Sequence, residues 1–145
     1  MQGVDPATVV GRYIEECWNR GRLDLIDELV AEDFVDHLPY DDGLPDGRAG
    51  VIATIRLLRM AFANLHIQIE DMIAEDDRVV VRYLLRGTHD GPFLGQPPTL
   101  GQVMINGMVI YRVEDHQIVD QWSMIDAVDL LQQVGAADRL TALRS

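Results

Sequence analysis

Apolar side chains recur at helical spacing through Val9, Val10, Tyr13, Ile14, Cys17 and Trp18, which predicts an amphipathic helix. Asp5-Pro6 supplies its start, because Asp accepts free N–H groups and Pro suits a first turn, and Gly21 supplies its end. Asp24 is placed to cap a second, short helix through Leu25 to Val30. Phe34-Val35-Asp36-His37 reads as extended. Asp41 to Gly47 is a loop by composition. Ile52, Ile55, Arg56, Leu58, Arg59 and Phe62 carry the spacing of a third helix that ends near Ala63.

Beyond that point the period changes from helical to alternating. Ile67, Ile69, Asp71 and Ile73 fall on one strand face, opposite His66, Gln68, Glu70 and Met72. Glu75-Asp76-Asp77-Arg78 reads as a polar hairpin turn, and Val79 to His89 as a strand. Asp90 to Pro98 holds two glycines and three prolines and reads as a long loop. Thr99 to Val113 is a further strand, Glu114-Asp115-His116 a tight turn, and Ile118 to Ile125 the last strand. Asp126 can cap a closing helix, Ala127 to Val134, which Gly135 ends. Three helices followed by four hairpin-connected strands make an α+β fold with an antiparallel sheet. No repeat or linker interrupts it. We expect one domain over residues 1–145, with a core from about 6 to 135 and a tail over 136–145.

The strand at 103–113 adds an expectation about assembly. One face carries Val103, Ile105, Val109, Tyr111 and Val113; the other carries Met104, Met108 and Ile110 with Asn106 and Arg112. Both faces are substantially apolar, so both call for cover. The helices can cover one. A homodimer packed sheet to sheet would cover the other.

Composition narrows the function classes. The chain has 145 residues, 48% of them hydrophobic and 25% charged, values of an ordinary globular protein. Its formal net charge of −12 repels phosphate backbones and anionic lipid, which argues against nucleic-acid and membrane partners. No apolar run approaches the roughly 18 residues of a membrane span, and Met1-Gln2-Gly3-Val4-Asp5 lacks a basic-then-apolar signal, so a cytoplasmic location is expected. Cys17 has no second thiol to pair with and no evident base beside it, which fits a helix thiol rather than a nucleophile. The four histidines show no i,i+2 or i,i+4 pair, so a zinc site is not expected. The acidic loop at 41–47 lacks calcium-loop spacing and reads as a solvated lid.

Several pieces of the chain together resemble one family. They are Tyr13 with Trp18-Asn19-Arg20-Gly21; Phe34-Val35-Asp36-His37; Gly87-Thr88-His89-Asp90-Gly91-Pro92-Phe93-Leu94-Gly95 with Pro98-Thr99; Tyr111-Arg112-Val113; and Gln121-Trp122 with Asp126 and Leu131-Gln132-Gln133-Val134-Gly135. From about residue 9 to Gly135 the chain resembles the SnoaL-like polyketide cyclases, within the nuclear transport factor 2-like fold. The resemblance implies a cone-shaped barrel: a curved, mainly antiparallel sheet wrapped around three N-terminal helices, with a short C-terminal helix. It implies one deep apolar pocket and proton-transfer chemistry on a small carbonyl-containing, polyketide-like molecule, with no metal or organic cofactor. In the family's aldol-type ring closers an acid/base Asp lies on the last strand, three residues before the position of Asp126. That position is Ser123 here, and the partner His falls on Val109, so the resemblance does not carry that aldol cyclisation over.

The remaining polar side chains then become candidates. His37 lies near where ketosteroid isomerases, relatives by fold, place a carboxylate base, and a His there could act as general base near neutral pH; otherwise it bonds to nearby backbone. His89 could reach the pocket mouth or hold the proline-rich loop. Asp126 is a catalytic or ligand-contact candidate by position and a helix cap by setting. Tyr13 and Trp18 either pack the core or line the pocket, with Tyr13 able to donate to a substrate oxygen. Val109, Tyr111 and Ser123 complete the expected lining. His66 and His116 read as solvated. Two functions fit: a cofactor-independent cyclase, isomerase, dehydratase or hydrolase, or a non-catalytic protein that binds or templates a small hydrophobic molecule.

Overall fold

The computed structural model describes residues 5–38 and 43–136. Asp41 and Asp42 of the expected acidic lid, and the expected tail from 137 onward, lie outside the described residues. Helix α1 (Pro6–Arg12) starts as its sequence requires, with the Thr8 N–H donating to the Asp5 carboxylate at 2.8 Å. It continues as a π-helical segment, Tyr13–Asn19, which buries Tyr13, Ile14 and Cys17. Gly21, at φ +71°, ends it, and the Arg59 guanidinium donates to the Trp18 and Asn19 carbonyls at 2.6 and 3.1 Å. Those bonds satisfy carbonyls that a helix end leaves free.

The second helix corrects the sequence expectation. It begins as a 3-10 turn, Leu23–Leu25, and α2 covers only Ile26–Leu29. Asp24 does not cap it but pairs with Arg22 at 3.0 Å. Val30 is already extended and opens strand β1 (Val30–Asp36), which runs parallel to the last strand. A β-branched residue beside a waiting strand edge prefers the sheet to another helical turn. Helix α3 (Gly47–Ala61) hands over to β2 (Phe62–Glu75), followed by β3 (Arg78–His89), β4 (Gln102–Glu114), β5 (Gln117–Ile125) and α4 (Ala127–Gln133). The sheet order is β1-β5-β4-β3-β2, antiparallel except at β1–β5. The α+β architecture with a curved, mainly antiparallel sheet is therefore as expected, with β1 as a fifth strand that the hairpin pattern did not include.

On β3 and β4 the alternation is regular. Val79, Val81, Tyr83 and Leu85 face inward against Val103, Ile105, Val109 and Tyr111. The outward side leaves Met104, Met108 and Met124 about half exposed or more (52%, 51% and 69%). On β2 the alternation fails. The pairing slips between Ile69, opposite Tyr83, and Asp71, opposite Arg82. That bulge inverts the phase, so Ile67 is buried and Met72 packs on the core, while Ile73 is 65% exposed. The single face expected for Ile67, Ile69, Asp71 and Ile73 is thus split. Both hairpin turns use left-handed residues, Asp76 at φ +54° and Asp115 and His116 at +50° and +65°, as two-residue turns between twisted strands require. Among the described residues, no helix is long and apolar enough to cross a membrane.

Candidate active site

Between the helices and the inner face of the sheet lies a cavity with two lobes. One, about 670 Å³, is lined by Tyr13, Glu32, Asp33, Phe34 and Asp46 among others. The other, about 690 Å³, is apolar and lined by Ile67, Leu85, Leu94, Leu131 and their neighbours, with the hydroxyls of Tyr83, Tyr111 and Ser123. Trp18, Asp36, Thr54 and Gln121 line both and form the waist between them. These are volumes typical of small-molecule sites.

The waist is built by strand pairing. Asp36 and Gln121 are register partners across β1 and β5. The Gln121 amide donates to Asp36 Oδ2 at 3.2 Å, and the Leu38 N–H donates to Oδ1 at 3.1 Å. Two tyrosines share the cavity with this carboxylate, Tyr13 on the wall of one lobe and Tyr111 on that of the other. Tyr13 and Tyr111 are buried edge to face, with ring centroids 5.9 Å apart. Burial pushes both phenols well above their ordinary range; the Trp18 side chain partly opposes this at Tyr13, and the Asp36 charge adds to the rise at each. Both therefore remain neutral hydrogen-bond donors at physiological pH. Cys17 is fully buried, and desolvation raises its thiol to about 11, so it stays protonated there.

The structure separates the residues singled out from the sequence. Tyr13, Trp18, Val109, Tyr111 and Ser123 all lie on the cavity wall, and Val109 and Ser123 are cross-strand partners. His37, His89 and Asp126 are not among the lining residues. The His37 ring stacks on Trp122, centroids 4.4 Å apart and planes 6° apart, with Nε2 2.9 Å from Asp120 Oδ1. Arg112 pairs with the same carboxylate, and Arg78 lies 5.1 Å over the other ring of the stack. This cluster occupies the outer side of the sheet. His89 is buried; its Nδ1 accepts the Thr99 N–H at 3.3 Å and lies 3.1 Å from Thr99 Oγ1. It holds the end of the 90–101 loop. Asp126 is exposed and caps α4, accepting the Asp129 N–H at 3.1 Å.

Asp36, Gln121, Thr54 and Tyr83 were not among the site candidates, although Asp36 and Gln121 stand in the motifs that carry the resemblance. For Asp36 a signal was present. Residues two apart on a strand share a face, and Phe34 is buried while Val35 is 46% exposed. The same alternation that turns Asp36 inward turns His37 outward.

A curved antiparallel sheet closed over helices, with a half-apolar cavity and polar groups at its waist, defines a small pocket protein of the nuclear transport factor 2-like class. Within that class, the chain belongs to the SnoaL-like polyketide cyclase family, whose model matches residues 8–134. It is 28% identical over 119 residues to nogalonic acid methyl ester cyclase of Streptomyces nogalater, covering 81% of this chain and 89% of that one. Among solved structures, it resembles wild-type IdmH from Streptomyces antibioticus (31% identity, TM-score 0.79, 91% of this chain and 99% of that one). It also resembles a SnoaL-like protein from Jannaschia sp. CCS1 (25% identity, TM-score 0.81, 94% and 99%).

Proposed function

We propose that the protein is a cofactor-independent acid–base enzyme that moves a proton beside a carbonyl of a small, polyketide-like molecule, with Asp36 as the base. One observation carries this reading. Asp36 is the carboxylate at the waist, reaching both lobes, whereas Glu32, Asp33 and Asp46 line only one. An apolar ring system fits the 690 Å³ lobe and presents its edge at the waist. Asp36 takes a proton from the carbon next to the carbonyl, and the C–H electron pair moves into the carbonyl to form an enolate. A neutral tyrosine of the same cavity, Tyr13 or Tyr111, donates to the enolate oxygen, and the water-poor wall strengthens that bond. Return of the proton to another atom isomerises the molecule; attack of the enolate on a second carbonyl closes a ring. Gln121 and the Leu38 N–H hold the carboxylate in orientation.

The test uses 2-tetralone, an apolar ketone, and follows deuterium exchange at its α-carbons in D2O by NMR. The wild-type protein accelerates exchange, and Asp36→Asn lowers the accelerated rate by roughly 10²–10⁴. His37→Gln, altered outside the cavity, stays within about threefold of wild type. Exchange by Asp36→Asn at the wild-type rate would remove Asp36 from the role. A second reading, a binding or templating protein, is favoured by Val109 and Ser123, neither of which readily transfers a proton at neutral pH; by the resemblance they stand where the family's ring closers keep a His and an Asp. Tight binding of the ketone with no accelerated exchange by the wild-type protein selects that reading.

A further inference from the structure

Tyr83 on β3 and Gly107 on β4 are cross-strand partners on the inner face of the sheet. A Cβ on Gly107 would sit 2.4 Å from both Cζ and Oη of Tyr83. The hydroxyl end of the phenol ring therefore sits over the glycine and fills the space that any other side chain there would need. Gly107 is itself paired with Ile125 on β5, and the next inward pair along these strands is Val109 with Ser123. Neighbouring strands lie about 4.8 Å apart, so a tyrosine from β3 reaches β5 only if β4 offers no side chain in its way. With no side chain on Gly107, the Tyr83 hydroxyl sits over β4, one strand from Ser123; burial raises its pKa, and the Ser123 hydroxyl opposes that rise. Tyr83, Val109 and Ser123 all line the apolar lobe.

We propose that Gly107 is a positioning residue that lays Tyr83 across β4, so that the Tyr83 and Ser123 hydroxyls act as one unit that binds a carbonyl oxygen of the ligand's ring system. Two hydroxyls carry two O–H donors. One is used between them, whichever direction the bond runs, and one is left for the ligand. Apart from the donors at the waist and Tyr111, the wall is made mainly of apolar side chains, and against it that donor favours planar ring ketones over hydrocarbons of the same shape. The proposal rests on the apolar lobe being a ligand site. It does not rest on Asp36 or on any proton transfer.

The probes are 9-fluorenone and fluorene, matched tricycles with and without a carbonyl, titrated calorimetrically into the full-length protein. The reading is the ratio of the two affinities, compared between variants so that differences in probe solvation cancel. Tyr83→Phe and Ser123→Ala each lower the fluorenone-to-fluorene ratio about three- to tenfold, the worth of one neutral hydrogen bond, while fluorene affinity holds within about twofold. The double variant is little worse than either single one, because the two hydroxyls form one unit. Gly107→Ala lowers the ratio as Tyr83→Phe does, although both hydroxyls are still present. If Gly107→Ala does not fold, adding it to Tyr83→Ala, which removes the ring it strikes, restores folding and leaves fluorene binding as in Tyr83→Ala alone.

An unchanged ratio in Tyr83→Phe overturns the carbonyl assignment, and an unchanged ratio in Gly107→Ala overturns the positioning role. His37→Gln, on the outer side of the sheet, leaves the ratio at the wild-type value. Fluorene binding with no carbonyl preference in wild type removes this proposal and leaves the proton-transfer reading intact. Failure of both probes to bind removes the apolar lobe as a ligand site, and this proposal with it.

Discussion

At the residue scale, the adjacent pair Asp36 and His37 shows how strand geometry distributes chemistry. Histidine is the more eye-catching of the two in a sequence, because its ordinary pKa lies near neutrality. The pleat nevertheless gives the cavity to the aspartate and the outer face to the histidine. On that outer face Asp120 carries a testable electrostatic role. Burial disfavours its ionised form, but the hydrogen bonds from His37 and Arg112 outweigh this and hold its carboxyl below the ordinary value of 3.8. A depressed carboxyl stabilises the fold above the unfolded-state pKa and loses that contribution as pH falls through the native one. Asp120→Asn should therefore cost about 1–2 kcal/mol at pH 7. The gap between variant and wild type should close as pH drops below 3.8, measured by urea unfolding across pH. A gap that persists unchanged into that acid range would contradict the assignment.

At the element scale, the long 90–101 segment is fixed at both ends. His89 and Thr99 tie one end to β3. At the other, the Asp90 and Gly91 N–H groups donate to the Ala61 carbonyl at 3.1 and 3.0 Å, locking the loop to the end of α3. Gly91 is required there because a Cβ would stand 2.1 Å from the Met60 carbonyl oxygen, whereas one on Gly101 would meet nothing nearer than 3.5 Å. Gly91→Ala should destabilise by about 1–3 kcal/mol, and Gly101→Ala by less than about 0.5 kcal/mol, both read from thermal or urea melts. Equal costs would mean that the joint between loop and helix matters little. Leu94, carried by this loop, lines the apolar lobe, so the joint also shapes the cavity wall.

At the scale of the whole molecule, one side of the sheet encloses the cavity and the other is left uncovered by the described residues. Met104, Met108 and Met124 are exposed on that side, flanked by Arg78, Arg82 and Arg112 and by Asp120. We propose that a second copy covers it, since a two-fold pairing would bury the methionines of both copies. Sedimentation at micromolar concentration should show a dimer, and Met108→Lys should shift it to monomer with the fold intact. A wild-type monomer at that concentration would contradict the pairing.

The sequence by itself determined much of the local structure: where the first and last helices start and stop, the alternation of β3 and β4, and which residues turn the hairpins. Asp5, Gly21, Asp126, and Asp115 with His116 act through neighbours a few positions away, and that range is what periodicity and capping report. The resemblance of its scattered motifs also placed the chain in its family. Only the tertiary structure decided the pairing of β1 with β5, the bulge that inverts β2, and the seat of Tyr83 on Gly107. Each depends on a partner far along the chain, and no local period encodes which distant strand will lie alongside. The same holds for the cavity. Its tyrosines could be picked out as apolar-face residues, but the carboxylate between its lobes took its place only when β1 found β5.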